Sequence, residues 1–458
     1  MGNHGPARGQ VDFGMAVDGG GKPPYHRGMP VLAEEPTVTL PPGHDPRLDA
    51  IERKVRDGVR LTEEDGLALY ETRDVHRVLA MADLVRRRLH GDVAFYNVNR
   101  HINYTNICAL SCKFCAFHRK KDQDGAYEKS TEEIVRDVQG AAAAGATEIH
   151  MVGGLHPWLP FQWYTDTLRA MKAAVPQIHI KAFTAVELVH LQRISKRGSE
   201  GYEGMKAVLR DLRDAGLGSL PGGGAEVFDD RVHDEAFKGK IRGDHWLDVH
   251  RAAHELGLNS NATMLYGHVE RRPERVRHMR LLREQQDHTL RDWAAAQGIR
   301  ADADGGVVLT GPASAYPRNR LPMPGQDGLT TGYFQTIIPL PFYPNESELE
   351  RLPAPTGLEN LRTLAIARLM LDNFPHTKAF WIMQTLPMTE LMLGAGADDV
   401  DGTVVWYDIT KAVGEGNHQE TSVRDLTKAI RDAGFTPVER DTLYRRVQRD
   451  GATWQLAN

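Results

Sequence analysis

The chain has three cysteines, and all of them lie within eight consecutive residues, Cys108-Ala-Leu-Ser-Cys112-Lys-Phe-Cys115. Thiolates at spacings of four and three residues on one short loop can converge on a single metal centre. Three sulfurs leave one iron of a four-iron cubane cluster without a protein ligand, and an open coordination position is where a substrate can bind. The pattern therefore predicts an iron–sulfur site that takes part in chemistry.

Zinc is the alternative metal for this loop. Cys108, Cys112, Cys115 and His118 could close a tetrahedral site of the Cys3His type, which would make the loop a structural staple in a zinc-containing binding protein. Cysteines used only for packing have no reason to keep such a spacing. The iron–sulfur interpretation is favoured, and zinc stays open at this point.

Glycine-rich turns and acid–base residues follow several predicted strands. Gly153 and Gly154 come directly after one of them, and glycine there lets the backbone approach a ligand closely. Gly222 and Gly223 lie in a run without the GxxxxGK[ST] or GxGxxG spacing of nucleotide-binding loops, so close approach to a substrate or cofactor is the favoured interpretation. Side chains at the carboxyl ends of barrel strands are candidate catalytic groups. These side chains are Glu187, Glu226 and His268.

Other candidate sites fail on their spacing. A zincin motif starting at His254 would need a second histidine where Leu258 stands. His250 and His254 share a helical face without a third ligand nearby and are predicted to form a surface pair. The basic runs Arg86–Arg88 and Glu270–Arg275 are predicted to be solvated helix faces.

The composition is ordinary for a globular protein, with 41% hydrophobic and 26% charged residues among 458. The net charge of −5 argues against a nucleic-acid partner, which would favour a basic face. There is no apolar run of about 18 residues and no signal-like start, so no membrane partner is expected. Thiols committed to a cluster need a reducing compartment, which predicts a cytoplasmic protein.

Short β-like segments alternate with helical stretches, which is typical of βα units and a parallel sheet. Eight units would close an α/β fold of the (β/α)8 TIM-barrel type, with its site at the carboxyl ends of the strands. An open (β/α)6 partial barrel is the alternative. The predicted strands are Ala94–Tyr104, Glu148–Val152, His179–Phe183, Gly218–Leu220, Asn259–Met264, Tyr333–Pro339, Ala379–Met383 and Thr403–Trp406.

Four parts of the chain are predicted. Residues 1–45 are rich in glycine and proline and are predicted to be a disordered leader. Residues 46–92 form an N-terminal helical extension, in which Thr62 is a predicted N-cap. Residues 93–445 form the barrel, interrupted by a polar insertion at about 293–331. Residues 446–458 are a C-terminal tail.

The cysteine spacing, with Phe114 just before the last cysteine, is similar to that of the radical S-adenosylmethionine (SAM) enzymes. A longer set of motifs resembles the aminofutalosine synthases of the futalosine pathway to menaquinone, over roughly residues 46–445. Two sister families share part of these motifs, the cyclic dehypoxanthine futalosine synthases and the tyrosine-using subunits of F0 synthase. The motifs are Val98–Cys108, Lys113–Phe117, Glu148–Pro157, Lys181–Glu187, Ser219–Glu226 and Ala262–His268.

The resemblance implies a [4Fe-4S] cluster on the three cysteines and SAM as co-substrate. It implies a transferase that adds the adenosyl radical to 3-[(1-carboxyvinyl)oxy]benzoate, moves the aryl group from oxygen to carbon, and loses a carboxylate to give 6-amino-6-deoxyfutalosine. A reducing partner such as flavodoxin or ferredoxin is then expected. The implied SAM-binding residues are Gly153, Gly154, Asn106, Phe114, Gly222 and Gly223. The candidate partners of the substrate carboxylates are Arg100, His101, Lys181 and Arg271.

Overall fold

A computed structural model describes residues 45–237, 239–299, 306–311, 321–403 and 420–457. The predicted leader lies outside the described residues apart from Asp45. The helices are α1 (Arg47–Asp57), α2 (Glu63–Glu71), α3 (Val75–His90), α4 (Thr131–Ala143), α5 (Phe161–Ala174), α6 (Ala185–Ile194), α7 (Gly201–Asp214), α8 (Asp230–Ala236), α9 (Gly243–Glu255), α10 (Arg272–Ala296), α11 (Gly357–Met370), α12 (Trp381–Gln384), α13 (Leu386–Leu393) and α14 (Val423–Asp432). None of these helices is both long and apolar enough to cross a lipid bilayer.

The strands form one large parallel sheet and a small hairpin. The order in the large sheet is β10-β1-β9-β8-β7-β6-β5-β4-β3-β2, and the hairpin pairs β11 with β12. The strands are β1 (Val93–Tyr96), β2 (Asn99–Asn103), β3 (Glu148–Val152), β4 (His179–Ala182), β5 (Ser219–Leu220), β6 (Asn259–Tyr266), β7 (Phe334–Pro341), β8 (His376–Ala379), β9 (Asp399–Val400), β10 (Thr436–Glu439), β11 (Val447–Asp450) and β12 (Thr453–Leu456).

The sheet closes into a barrel through the segment that contains β1 and β2. β1 and β2 are separated only by Asn97 and Val98, and β1 pairs with β9 through Phe95 and Asp399, whereas β2 pairs with β3 along its length. β2, at one end of the strand order, is therefore continuous in the chain with β1, the second strand from the other end. The strands β2 to β7 form an uninterrupted (β/α)6 unit, and β8, β9 and β1 complete the predicted (β/α)8 arrangement, with β10 as an additional neighbour of β1.

Side chains along each strand alternate between the helices and the inside of the barrel. On β3, Ile149 and Met151 are fully buried in the main hydrophobic core beneath the helices. Glu148 and His150 therefore face the inside, and on β4 Lys181 does the same between the core residues Ile180 and Ala182. The inside of this barrel is polar, unlike the layers of branched aliphatic side chains that usually fill such barrels.

The N-terminal extension consists of α1, α2 and α3, in agreement with the predicted helical segment. Thr62 caps α2, because its side chain accepts from the N–H of Asp65 at 3.2 Å while the Asp65 carboxylate accepts from the N–H of Thr62 at 2.8 Å. This reciprocal pair satisfies two N–H groups that a helix start leaves without partners. The predicted N-cap is therefore confirmed.

One predicted strand was misplaced, and another lies outside the described residues. The segment Ala379–Met383 was predicted as a strand, but β8 ends at Ala379 and the apolar residues after it form α12. The predicted strand Thr403–Trp406 lies outside the described residues apart from Thr403, and β9 at Asp399–Val400 was not predicted.

Several segments predicted to be peripheral pack into the interior. Arg86, Arg88 and Arg275 are at most 6% exposed, so these basic runs are not simply solvated faces. The surface placement of His250 and His254 was also wrong, since both are at most 1% exposed.

The segment predicted as a polar insertion has described parts that also reach the core. The helix α10 continues to Ala296, past the predicted start of the insertion. Val307, Leu309, Leu321 and Leu329 belong to the main core. These apolar contacts fasten the described parts of the segment to the barrel.

Candidate active site at the cysteine loop

The cysteine loop begins where β2 ends and is closed at its base by backbone hydrogen bonds. The N–H of Cys108 donates to the carbonyl of Arg119 at 3.0 Å, and the N–H of Arg119 donates to the carbonyl of Asn106 at 2.8 Å. The ammonium of Lys120 donates to the carbonyls of Cys108 and Leu110 at 2.9 and 3.0 Å. The loop is thus held over the carboxyl ends of the strands, where barrel active sites lie.

Asn106 orders this loop. Its side-chain amide donates to the carbonyl of Gly125 at 2.8 Å, and its amide oxygen accepts from the N–H of Tyr127 at 2.8 Å. Both ends of the amide are therefore bonded within the protein. Asn106 lies beside the predicted cofactor site. In this structure its side chain bonds to Gly125 and Tyr127, where the chain returns from the loop.

Gly153 and Gly154 seat the cysteine loop against the end of β3. A Cβ on Gly154 would lie 2.3 Å from the carbonyl oxygen of Ile107 and 3.1 Å from Cβ of Cys108. A Cβ on Gly153 would lie 2.7 Å from the ring of Tyr104. Only glycine permits this approach. Just beyond, the N–H of Leu155 points at Sγ of Cys108 at 3.4 Å.

The thiols are partly shielded from water. Cys112 is buried, and Cys108 and Cys115 are partly exposed. Burial raises the pKa of Cys112 to about 11 and raises that of Cys115, so both thiols favour the neutral form without a metal. Metal coordination supplies the positive charge that reverses this preference.

The spacing of the sulfurs argues against a single zinc ion. Among the described residues, three ligand atoms lie within 4.8 Å of one another only at His90, His376 and Asp398, so the three sulfurs are further apart. Ligands at 2.3 Å from one tetrahedral zinc would lie roughly 3.8 Å apart. Ligands of three different irons in a cubane lie further apart. The histidine–aspartate group is itself an ion-pair network, because the guanidinium of Arg368 binds Asp398.

Phe114 and Glu226 meet at Lys240. The Lys240 ammonium forms an ion pair with the Glu226 carboxylate and lies 4.9 Å from the centre of the Phe114 ring. Phe114 also packs edge-to-face on Phe237 at 5.1 Å. Glu226 is only 8% exposed and has a left-handed backbone with φ of 49°. Such strain in a residue other than glycine is concentrated at functional sites.

His268 joins the same group from the end of β6. Its Nε2 lies 3.0 Å from the carbonyl of Leu265, and its Nδ1 lies 3.2 Å from the Glu270 carboxylate. The ring packs on Phe237 at 5.4 Å. Burial lowers the pKa of His268 despite the nearby carboxylate.

Glu187 is buried on the other side of the loop and accepts several hydrogen bonds. Its Oε1 accepts from the hydroxyl of Tyr104 and from the N–H of Gly153, both at 3.0 Å. Its Oε2 accepts from the N–H and the hydroxyl of Thr184, both at 2.8 Å, in the capping box of α6. Burial raises the pKa of Glu187 to about 7, against the effect of these donors. Glu187 therefore ties the start of α6 to the turn after β3.

Gly222 and Gly223 bring β5 close to its neighbours. A Cβ on Gly222 would lie 2.7 Å from the backbone of Ala262, and one on Gly223 would lie 3.0 Å from Thr184. The Gly222 carbonyl accepts from the hydroxyl of Thr263 at 2.7 Å. Gly222 is required for the close packing of this turn on β6, and Gly223 contacts the Glu187 group through Thr184.

Two ion pairs form a charged floor inside the barrel, beneath the cysteine loop. Lys181 lies 2.6 Å from Glu148, and Lys378 lies 3.0 Å from Asp401. Burial raises the pKa of Glu148, but Lys181 and Lys378 outweigh burial and hold that pKa well below its usual value. Lys181 has a lowered pKa, because burial outweighs its carboxylate partner. We call Glu148, Lys181, Lys378 and Asp401 the charged floor.

Two histidines lie next to the charged floor. His101 and His150 occupy paired positions on β2 and β3, with ring centres 4.2 Å apart. Burial lowers the pKa of His101 to about 4 and that of His150 well below its usual value. Both imidazoles are therefore neutral near pH 7.

Only two of the four residues predicted to bind the substrate carboxylates lie inside the barrel. Lys181 and His101 lie inside the barrel. Arg100 pairs with Ile149, whose side chain is in the core beneath the helices, so Arg100 faces away from the barrel interior. Arg271 is exposed at the N-terminus of α10. Those two arginines do not join the site.

The residues that sequence reasoning missed are Lys240, Lys378 and Asp401. Lys378 lies in β8, which was predicted too late in the chain, and Asp401 follows β9, which was not predicted. Lys240 stands in a loop with no motif around it. A correct prediction of β8 and β9 would have placed Lys378 and Asp401 at barrel strand ends.

Comparison with protein families gives two matches. The radical SAM superfamily matches residues 102–282, and the CofH/MqnC C-terminal region matches residues 331–451. The fold is similar to that of methylornithine synthase, with a TM-score of 0.59 at 16% identity over 84% of this chain and 97% of that one. The fold and the cysteine loop therefore define a radical SAM enzyme, whose cofactors are a [4Fe-4S] cluster and SAM.

Two curated relatives identify the family within this class of enzymes. The aminodeoxyfutalosine synthase of Thermus thermophilus is 39% identical over 408 residues, which is 88% of this chain and 97% of the relative. The aminodeoxyfutalosine synthase of Streptomyces coelicolor is 42% identical over 397 residues, or 86% and 92% of the two chains. The chain belongs to the aminodeoxyfutalosine synthase family.

The residues of the loop fit the cofactors of this family. Three thiols stand on a loop closed at its base, and their sulfurs do not all lie within 4.8 Å of one another. A cubane held by three cysteines keeps one iron open for SAM.

Proposed function

We propose that this chain joins the 5′-deoxyadenosyl group of SAM to 3-[(1-carboxyvinyl)oxy]benzoate. With one water, the products are 6-amino-6-deoxyfutalosine, methionine, bicarbonate and a proton. The C5′–S bond of SAM breaks and a bond from C5′ to the alkene CH2 forms. The aryl group moves from oxygen to carbon, and the bond to the enolpyruvyl carboxylate breaks. The observation that carries this proposal is the similarity to aminodeoxyfutalosine synthases along almost their whole length.

When bound, the cluster and SAM supply a carbon radical at C5′. Cys108, Cys112 and Cys115 are proposed as the three cluster ligands. Gly153 and Gly154 keep the loop seated, since larger residues would displace Ile107 and Tyr104. Asn106 fixes the segment that returns from the loop, by its bonds to Gly125 and Tyr127. These residues hold the reacting carbon in place, and positioning is the main contribution that a protein makes to such chemistry.

Phe114, Glu226, Lys240 and His268 form one side of the proposed SAM site. They are linked by the Glu226–Lys240 ion pair, by aromatic packing through Phe237, and by the bond of His268 to Leu265, whose N–H in turn donates to the Glu226 carbonyl. Gly222 and Gly223 border this side. Glu226 is proposed to accept from SAM hydroxyl or amino groups, and Lys240 holds its carboxylate in place.

The charged floor suits a substrate with two carboxylates. Both lysines are paired with carboxylates, Lys378 also with Asp399 at 3.5 Å, and the neighbouring histidines are neutral, so a substrate carboxylate must replace an internal partner of a lysine. Lys181 and Lys378 are proposed to bind the substrate in this way, with His101 beside them. Charge-assisted hydrogen bonds are about twice as strong as neutral ones, and they fix orientation.

Apolar side chains of β7 line the barrel interior beside the charged floor, and we call them the apolar wall. On β7, Ile337 is fully buried beneath the helices, so Ile338 and Leu340 face the inside, where both remain partly exposed. An aryl ring and an alkene pack favourably on such a surface. The wall is proposed to exclude water from the reacting carbon when substrate is bound.

The proposed setting follows from the cofactor. A cluster with thiolate ligands needs a reducing compartment, so the protein is proposed to act in the cytoplasm with a low-potential donor such as flavodoxin or ferredoxin.

SAM labelled in its adenosyl group tests the proposed function. The reconstituted enzyme is incubated anaerobically with dithionite, labelled SAM and the enolpyruvyl benzoate, and the products are identified by mass spectrometry. Label in a product of the mass of aminodeoxyfutalosine is expected. The sister enzymes abstract hydrogen, so label found wholly in 5′-deoxyadenosine, with dehypoxanthine futalosine or tyrosine as the accepted substrate, would overturn the proposal.

A further inference from the structure

His156 is a buried histidine in the turn after β3, and its hydrogen bonds hold that turn in shape. The residue is 3% exposed. Its Nδ1 accepts from the N–H of Trp158 at 3.3 Å and from the N–H of Leu159 at 3.1 Å. Its carbonyl accepts from Nε2 of His190 on α6 at 3.0 Å. Both the ring and the backbone of His156 are therefore fixed by hydrogen bonds.

The same ring contacts the segment that returns from the cysteine loop. Because Nδ1 accepts from backbone donors, the neutral ring carries its hydrogen on Nε2, which lies 2.6 Å from Oε2 of Glu128. Glu128 forms an antiparallel bridge with Thr105, just before the loop. Burial lowers the pKa of His156, against the effect of Glu128 and together with that of Lys121, so the ring is neutral near pH 7. His156 thus connects the turn after β3 to the base of the loop.

The residue before His156 carries the contact with the cysteine loop. The N–H of Leu155 points at Sγ of Cys108 at 3.4 Å, and the carbonyl of Leu155 accepts from the N–H of Ala109 at 2.9 Å. The peptide that joins Leu155 to His156 is therefore bonded to the loop on one side and belongs to the histidine-held turn on the other. The direction of the Leu155 N–H depends on the shape of that turn.

An N–H group beside a thiolate ligand stabilises the additional negative charge of a reduced cluster, and so raises its reduction potential. We propose that His156 is a positioning residue that sets the reduction potential of the cluster, by fixing the Leu155 N–H on the sulfur of Cys108. The ring acts through the backbone of the turn. This inference rests on the proposed function, because it requires the cluster to be bound by the three cysteines.

The ring of His156 also fills space, so the hydrogen-bonding role must be separated from packing. The ring lies edge-to-face on Trp158, with centres 5.7 Å apart. Asparagine is smaller, but its side-chain oxygen accepts from backbone N–H groups two or three residues further on. Leucine fills the space without an acceptor. His156→Asn therefore keeps the acceptor and loses volume, whereas His156→Leu does the reverse.

The test measures the midpoint potential of the cluster in reconstituted holoenzyme, without SAM or substrate, by anaerobic redox titration followed by electron paramagnetic resonance. Iron per chain is counted in every sample. His156→Leu is expected to shift the reduction equilibrium about tenfold towards the oxidised cluster, which is about 59 mV lower for one electron. His156→Asn should keep the potential of the unaltered enzyme. His288→Leu, at an exposed position on α10, is the control and should also keep it.

An unchanged potential in His156→Leu would overturn the proposal, and so would an equal shift in His156→Asn, which would show that ring volume is what matters. If His156→Leu binds no cluster, His156→Ala is titrated in its place. Loss of iron in both variants would also overturn the proposal, because it would show that His156 supports the whole loop. The potential is measured without turnover, so a failed labelling experiment would count against the proposed function and leave this result readable.

Discussion

The ammonium of Lys181 lies 2.6 Å from Oε1 of Glu148 inside the barrel, where the two side chains are 5% and 0% exposed. A buried ion pair stabilises little by itself, but removing one partner leaves an uncompensated charge. Lys181→Met is therefore expected to lower the free energy of unfolding by about 3–5 kcal/mol, measured by urea denaturation. The double variant Glu148→Gln/Lys181→Met should recover most of that loss. Equal destabilisation of the single and double variants would show that the pair is not coupled.

Substitution of one proposed cysteine ligand and of one nearby histidine tests which metal the cysteine loop binds. Anaerobically reconstituted protein should hold about four irons per chain. Cys112→Ala is expected to lose both iron and activity, whereas His118→Ala should keep the iron, because the imidazole of His118 is engaged with the Cys115 carbonyl at 2.9 Å. Iron and zinc are counted by elemental analysis. Stoichiometric zinc that disappears in His118→Ala would favour the Cys3His site instead.

Gly154 is expected to tolerate no side chain. Its added Cβ would lie 2.3 Å from the Ile107 carbonyl, so Gly154→Ala must move the base of the cysteine loop. We expect this variant to lose most of its iron on reconstitution and about 1–3 kcal/mol of stability. Gly140→Ala is the matched control, because no atom lies within 4 Å of its added Cβ on α4. Full iron content in Gly154→Ala would contradict this account of the turn.

Buried histidines predict a loss of stability in acid. Burial lowers the pKa of His254 and of His278 to about 3, whereas histidine in an unfolded chain titrates near 6.5. The unfolded chain binds more protons below pH 6.5, so the free energy of unfolding falls as the pH drops from there towards 3. Each histidine should contribute about 2 kcal/mol of this loss between pH 8 and pH 5.

The variant His278→Gln checks this expectation. Its free energy of unfolding should depend less steeply on pH over that range than that of the unaltered enzyme, and His288→Gln, at an exposed position, is measured beside it. Urea denaturation at several pH values measures both. An unaltered slope in His278→Gln would rule out this histidine as a source of the acid sensitivity.

The sequence by itself determined the chemistry of the loop and most of the strands. Three cysteines within eight residues are a local pattern, so their use does not depend on distant contacts. β3 was predicted with the bounds that the structure has, because a short segment that alternates polar and apolar residues and is ended by Gly153 and Gly154 is a strong strand signal. The individual roles of Glu187, Glu226 and His268 stay predictions, although the structure gathers all three around the loop.

The tertiary structure decided which charges meet and where β8 lies. Lys378 faces a polar barrel interior, so β8 lacks the apolar run of a buried strand, and the apolar residues after it belong to a helix instead. Glu148 lies on β3 and Lys181 on β4, while Lys378 lies on β8 and Asp401 follows β9, and only the parallel pairing of these neighbouring strands brings the partners within bonding distance. The raised pKa of Glu187 likewise depends on burial by segments far apart in the chain, which no local pattern encodes.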